Sequence, residues 1–219
     1  MSARPDDGGG LTPAAQPLPS AFYARPAEEV ARDLLGAHLL STIGGERTLG
    51  RIVEAEAYLG PHDPASHAAE RIGRTARNAS MFGPPGIAYV YRIYGMHWCL
   101  NAVTGAPDHP AAVLIRAIEP LDGLGAMRLR RRAPAGRRRT ELAASWPPDR
   151  ELARGPARLA RALGIDGALD GHPLDRPPLC ILAGEHIPDE RVVAGPRIGV
   201  TRARDWELRF FLRGSPWVS

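Results

Sequence analysis

The chain has 219 residues, 44% apolar and 24% charged, with a formal net charge of +4. That is one-domain size with enough apolar content to bury a core, which excludes an intrinsically disordered chain. No apolar run reaches the length of a bilayer span and the N-terminal MSARPDDGGG holds no apolar signal segment, so a membrane protein is excluded and a cytoplasmic, nucleoid-associated location is expected.

Residues 1–20, rich in Gly, Pro, Ala and Asp, cannot form a core and predict a disordered leader, with the folded domain spanning 21–219. PAEEVARDLLGAHLL, residues 26–40, places Val30, Leu34, Leu35 and His38 at helical spacing behind Pro26 and predicts an amphipathic helix. From Gly50 the period becomes two: Ile52, Glu54, Glu56 and Tyr58 face one way, Val53, Ala55, Ala57 and Leu59 the other. Gly60 and Pro61 end this strand, and His62 to His67 form a loop. Residues 87–103 predict two strands joined around Tyr94, Gly95 and Met96, and residues 111–119 a further buried strand. Helices are predicted at 121–131 and 156–163, and strands starting at residues 179, 196 and 208. Short connections imply antiparallel pairing, and the element order implies a single α+β domain without internal repeats.

Three features carry chemistry. Alternating Glu54 and Glu56 fit the wet face of a half-exposed strand, but Tyr58 on the same face also fits a general base in a site. Glu56, His62, Asp63 and His67 are all metal-ligand types, yet their spacing matches no ligand signature and a general base with an orienting histidine needs fewer coincidences. The cysteines, Cys99 and Cys180, lack zinc spacing and are expected to be reduced and buried, so no metal or cofactor is implied.

The second feature is the hairpin. Tyr89 and Tyr91 alternate inward, while Tyr94 and Met96 at the tip would form a wedge able to enter a base stack. The third is arginine: all 28 cationic side chains are arginine, and MRLRRRAPAGRRRTE, residues 127–141, holds seven of them before its first acid. GC-rich coding accounts for most of the arginines; their clustering fits a polyanion partner such as nucleic acid. Wedge and arginines together suggest a protein that pries a nucleotide from a duplex and holds its base between aromatic faces.

RIVEAEAYLG, His67, ARNASMFGPPGIAYVYRIYGMHWCLNAV, LIRAIEPLDG, LARGPARLARALGI and RFFLRGSPWVS closely resemble the alkyladenine (3-methyladenine) DNA glycosylase family of the monomeric, non-helix-hairpin-helix kind, from about Ala21 onward. The resemblance implies a monomeric base-excision-repair enzyme that excises alkylated or deaminated purines from damaged double-stranded DNA. Glu56 matches the water-activating carboxylate, with Arg116 positioning water and phosphate. Tyr58 would stack on one face of the flipped base, with Tyr91 and His67 on the other side, and Asn101 would block the 2-amino group of guanine. Tyr94, assisted by Met96, would intercalate, while Arg77, Arg158, Arg130 and Arg131 would contact the DNA backbone. Arg158 departs from the lysine of the family's GPxKL pattern, and no C-terminal extension past GSPWVS is expected. The expected fold is one α+β domain with a curved, mostly antiparallel sheet flanked by helices and a protruding hairpin.

Without lysine the chain has no side-chain amine for a Schiff base, so water is the expected nucleophile and the enzyme is expected to be monofunctional. Two alternatives stand beside this: a catalytically silent sensor of damaged DNA, and a metal-dependent nucleoside hydrolase built on Glu56, His62, Asp63 and His67.

Overall fold

The computed structural model describes residues 15–132 and 147–219. Two short helices, α1 (Ser20–Tyr23) and α2 (Ala27–Asp33), lead into β1 (His38–Ser41) and the long β2 (Thr48–Tyr58). The hairpin β3 (Ala88–Ile93) and β4 (His97–Thr104) follows, then β5 (Ala111–Asp122), α3 (Leu124–Arg131) and α4 (Pro156–Leu163). The chain closes with β6 (Asp175–Arg176), β7 (Leu179–Leu182), β8 (Val192–Gly195) and β9 (Arg209–Leu212).

Among the described residues the nine strands form one curled antiparallel sheet in the order β3-β4-β5-β2-β1-β7-β6, with β9 joined to β2 and β8 to β9. β2 is the hub. Its first residues pair with β1, Glu54 to Glu56 pair with β9, and β5 runs along its other side.

The two-residue alternation of β2 appears as expected from Val53 to Tyr58; Ile52, expected beside Glu54, instead joins Val53 in the main core, because the pairing with β5 slips between Ile52 and Glu54. Val53, Ala55 and Ala57 join Val113, Ile115 and Ala117 of β5 and Leu100 and Ala102 of β4 in the main core, which α2 and α4 cover. The opposite face carries Glu54, Glu56 and Tyr58, with a smaller cluster around Met81, Tyr89, Val103 and Ala112. α4 begins and ends where its Pro156 and apolar spacing predict.

Three expectations need correction. The predicted helix over 26–40 stops after Asp33, because Gly36 turns the chain with φ +89° and a Cβ there would lie 2.4 Å from the Glu185 carbonyl oxygen. His38 therefore sits in β1, where pairing with both β2 and β7 overrides the helical spacing. The strand expected from residue 196 is instead β8, just upstream, and Pro196 opens a loop. The predicted leader also runs too far: residues 1–14 lie outside the described residues, but Pro17 bridges Leu182, the Leu18 N–H donates to Ile181, and α1 starts at Ser20. Among the described residues, no helix is long and apolar enough to cross a membrane.

Candidate active site

The site lies on the polar face of β2, where β9 takes the place of β1 as its neighbour. Pairing between β2 and β5 skips there: Glu54 opposes Ala117 and Ala55 opposes Ile115, which leaves Arg116 opposite no residue. Such a bulge re-aims a side chain. The Arg116 guanidinium spans both carboxylates, with Nε 3.0 Å from Glu54 Oε1 and Nη1 3.0 Å from Glu56 Oε1. Burial disfavours its cation, but Glu56 and Glu54 outweigh burial and hold its pKa above the ordinary arginine value.

Glu54 and Glu56 are fully buried, so the wet-face reading of these acids is overturned. Glu56 is held from three sides. Besides Arg116, its Oε1 accepts the Ile198 N–H at 2.7 Å, and its Oε2 accepts the Tyr58 hydroxyl at 3.0 Å. Burial, then the adjacent Glu56 charge and hydrogen bond, push the Tyr58 phenol well above its ordinary pKa, so it stays a donor.

In front of this pair opens a cleft of about 340 Å³, lined among others by Tyr58, His67, Tyr91, Asn101, Arg116 and Ile198. The Tyr91 and Tyr89 rings stack at 5.3 Å, and His67 meets Tyr91 edge-on at 4.4 Å. His67 Nδ1 lies 2.9 Å from the Tyr89 hydroxyl, and its carbonyl accepts from Asn78 Nδ2 at 2.9 Å, which fixes ring and backbone together. Burial, then the Arg77 charge, lower the His67 pKa below the ordinary 6.5. Asn101 donates to the Tyr89 carbonyl at 2.9 Å.

Arg197 stands 4.7 Å from the centre of the Tyr58 ring and pairs with fully buried Asp63, Nη2 to Oδ1 at 2.8 Å. Asp63 also accepts the Ala65 and Leu59 N–H groups, so it shapes the loop that leads to His67.

The hairpin reaches past the cleft. Tyr94 and Met96 are 84% and 69% exposed. Tyr94 and Gly95 both have positive φ, 52° and 67°, and the Met96 N–H donates back to the Ile93 carbonyl at 3.1 Å, so residues 94–96 make a tight turn between the paired Ile93 and His97. Tyr94 also borders the cleft, so tip and pocket are continuous.

The structure thus brings together Glu56, Arg116, Tyr58, His67, Tyr91, Asn101 and Tyr94. Arg77 joins them, 5.5 Å from the Tyr91 ring centre. The remaining arginines are less available: Arg158 pairs with Glu151, and Arg130 donates to the carbonyls of Ala162 and Ile43. Arg131 packs near Arg158 and Arg161, Arg128 pairs with Asp149, and Arg137 to Arg139 lie outside the described residues.

The four side chains weighed for a metal do not converge. Glu56 faces Arg116 and Tyr58, Asp63 faces Arg197, and His67 faces Tyr89. Among the described residues no three His, Cys, Asp or Glu side chains gather as ligands.

Arg197, Ile198 and Glu54's partners were not found from sequence. An arginine inside the apolar PRIGV run was the available signal, and it points to no particular partner.

A buried carboxylate–arginine pair behind stacked aromatic rings defines the class: an enzyme with polar groups set behind an aromatic cleft and an exposed tyrosine at its mouth. The family model described as methylpurine-DNA glycosylase (MPG) matches residues 21–216. A protein of Rhodopseudomonas palustris strain HaA2 is 49% identical over 93% of this chain and 90% of its own length. One of Myxococcus xanthus strain DK1622 is 47% identical over 92% and 93%, and one of Carboxydothermus hydrogenoformans is 43% identical over 92% and 98%. Each is named "Putative 3-methyladenine DNA glycosylase". The chain belongs to the methylpurine-DNA glycosylase family.

Proposed function

We propose that this chain is a monofunctional DNA-3-methyladenine glycosylase of base excision repair, acting as a cytoplasmic monomer on damaged double-stranded DNA. Its substrates are 3-methyladenine, 7-methylguanine, hypoxanthine and ethenoadenine. The observation that carries the reading is Glu56, fixed by three donors directly behind an aromatic cleft of base size.

Tyr94 fills the gap left by the extruded nucleotide, with Met96 beside it, at the cost of unstacking one step. The base enters between Tyr58 on one side and Tyr91 and His67 on the other, where the His67 ring and backbone amide hydrogen-bond its edge. Asn101 closes the space that the 2-amino group of guanine would need. Arg77, Arg158, Arg131 and Arg130 face phosphates, Arg77 foremost; Arg158, paired with Glu151, partly buried Arg131, and Arg130, tied to two carbonyls, have less to offer.

Glu56 takes a proton from a water oriented by Arg116 as the water oxygen bonds to C1′. The C1′–N9 bond breaks, its electron pair goes to the base, and the cation of an N3- or N7-alkylated purine is neutralised. The sugar passes through an oxocarbenium-like state that the Glu56 carboxylate stabilises. No amine attacks the sugar, so the product is an intact abasic strand.

The test is release of free base from duplexes carrying each lesion, in chelator and with borohydride present. Release without a trapped adduct or strand nick is expected. Absence of release from all four, or a trapped adduct, would overturn the reading. Release that stops in chelator would favour the metal hydrolase, and tight lesion binding without release would favour the silent sensor.

A further inference from the structure

Glu54 is fully buried next to Glu56, and no step of the proposed reaction uses it directly. Its Oε1 accepts Arg116 Nε and Arg209 Nη1, each at 3.0 Å, and its Oε2 accepts the Ser219 N–H at 2.7 Å. Arg116 in turn uses Nε for Glu54, Nη1 for Glu56 and Nη2 for the Ser219 hydroxyl at 3.2 Å. The segment holding Ser219 is itself anchored. Arg154 Nε donates to the Val218 carbonyl at 2.6 Å, and Trp217 and Val218 pack on the core.

A guanidinium offered a single carboxylate favours the bidentate arrangement, with two parallel N–H···O bonds. If Arg116 paired so with Glu56, a second N–H would fall on Oε2, which already accepts the Tyr58 hydroxyl. Oε1 is filled by Ile198 and Arg116, so Oε2 is the oxygen with capacity left to take a proton from water. Glu54 and Ser219 prevent that pairing by occupying Nε and Nη2. Charge leads to the same place: Glu54 and Glu56 balance Arg116 and Arg209, and a neutral residue at 54 would leave one guanidinium in excess, drawn toward Glu56.

Resting on the reading of Glu56 as general base, we infer that Glu54 is a positioning residue, which with Ser219 restricts Arg116 to one hydrogen bond with Glu56 and so keeps Glu56 Oε2 available as the base. Glu54 does not touch the substrate. Its removal acts on rate rather than on binding.

The test is Glu54→Gln, which keeps the side-chain volume but sets an amide N–H against either the arginines or the Ser219 N–H. On whichever lesion duplex the wild type acts, the single-turnover rate is expected to fall roughly 100-fold, the scale of a small misplacement at a reacting centre. Affinity for the same duplex should hold at the wild-type value, and Glu54→Asp, which keeps the charge, should recover part of the rate. A Glu54→Gln rate equal to wild type overturns the inference. So does a parallel loss of rate, affinity and thermal stability in both variants, which would make Glu54 a scaffold residue. If Glu54→Gln does not fold, Ser219→Ala removes only the hydroxyl brace on Arg116; a several-fold slower rate at unchanged affinity supports the inference, and a wild-type rate overturns it. A wild type that releases no base removes the functional reading and this inference together, whereas an active wild type matched by its variants removes the inference alone.

Discussion

The two faces of β2 and β5 share one hydrogen-bond ladder yet obey different rules. On one face Val53, Ala55, Ala57, Val113 and Ile115 are fully buried against helices, and their requirement is volume. On the other, Glu54, Glu56 and Arg116 are almost as buried and Tyr58 partly so, and their requirement is partners: each carboxylate oxygen has a donor, and each Arg116 nitrogen an acceptor. Removing two carboxylates and a guanidinium from water is costly, and their mutual attraction offsets that cost only when the geometry is complete. A chain selected for stability alone would fill both faces with apolar side chains. The polar face is therefore where the fold accepts a loss of stability, as the chemistry proposed for it requires.

Substitutions that change one face without the other test this division. Glu56→Gln should show the largest effect, a loss of base release of about 10²–10⁴-fold in single turnover with lesion binding retained; comparable rates in mutant and wild type would remove Glu56 from the chemistry. Ile115→Ala, on the core face of the same ladder, should do the reverse. A fully buried isoleucine trimmed to alanine costs about 2–5 kcal/mol of stability, measured by denaturant unfolding, while the folded fraction keeps its rate. If Ile115→Ala slowed the chemistry at full folding, the two faces would not be independent.

The hairpin sharpens the contrast, because its tip packs on neither face. Tyr94→Ser should lower activity roughly tenfold on a fully paired lesion and less on a mismatched one, where unstacking is already cheaper. Stability should hardly move, since the ring is 84% exposed. Equal losses on both duplexes would show that Tyr94 does not act at the base stack.

The smallest effect concerns pH. His67 has a folded pKa below its ordinary 6.5, first through burial and then through Arg77. As pH falls through 6.5 the unfolded chain takes up the proton first, so stability declines from there down to the folded pKa and is unaffected above. His67→Gln should flatten that part of an unfolding-versus-pH curve; an unaltered slope would assign it to other groups.

Local pattern carried much of this into the sequence. The alternation of β2, the turn at Tyr94-Gly95 and the Pro156 start of α4 depend on neighbours within a few residues, and the structure places them where the pattern does. β1 was hidden because Val30, Leu34, Leu35 and His38 keep helical spacing straight across the Gly36 turn, whose cause is a carbonyl near residue 185. The arginines after Met127 read as a phosphate-binding run, yet Arg128 and Arg130 meet Asp149, Ile43 and Ala162 within the protein. Arg197 and Asp63 are 134 residues apart, and no spacing rule links them. The side chains proposed for catalysis could be named from a short stretch; several of the groups that hold them lie more than 130 residues further along the chain.

That distance sets the order in which the site can appear during synthesis. β2 can pair with β1 and β5 once those residues have been made, but Glu56 waits for Ile198, 142 residues later, and Glu54 for Arg209, 155 residues later. At a translation rate of about 5–20 residues per second, this leaves the two acids without those partners for roughly seven to thirty seconds. The nascent sheet can thus gain its apolar layer well before it gains a working pocket. A chain lacking the segment from Ile198 to Arg209 would carry the aromatic cleft without those two partners of Glu56 and Glu54.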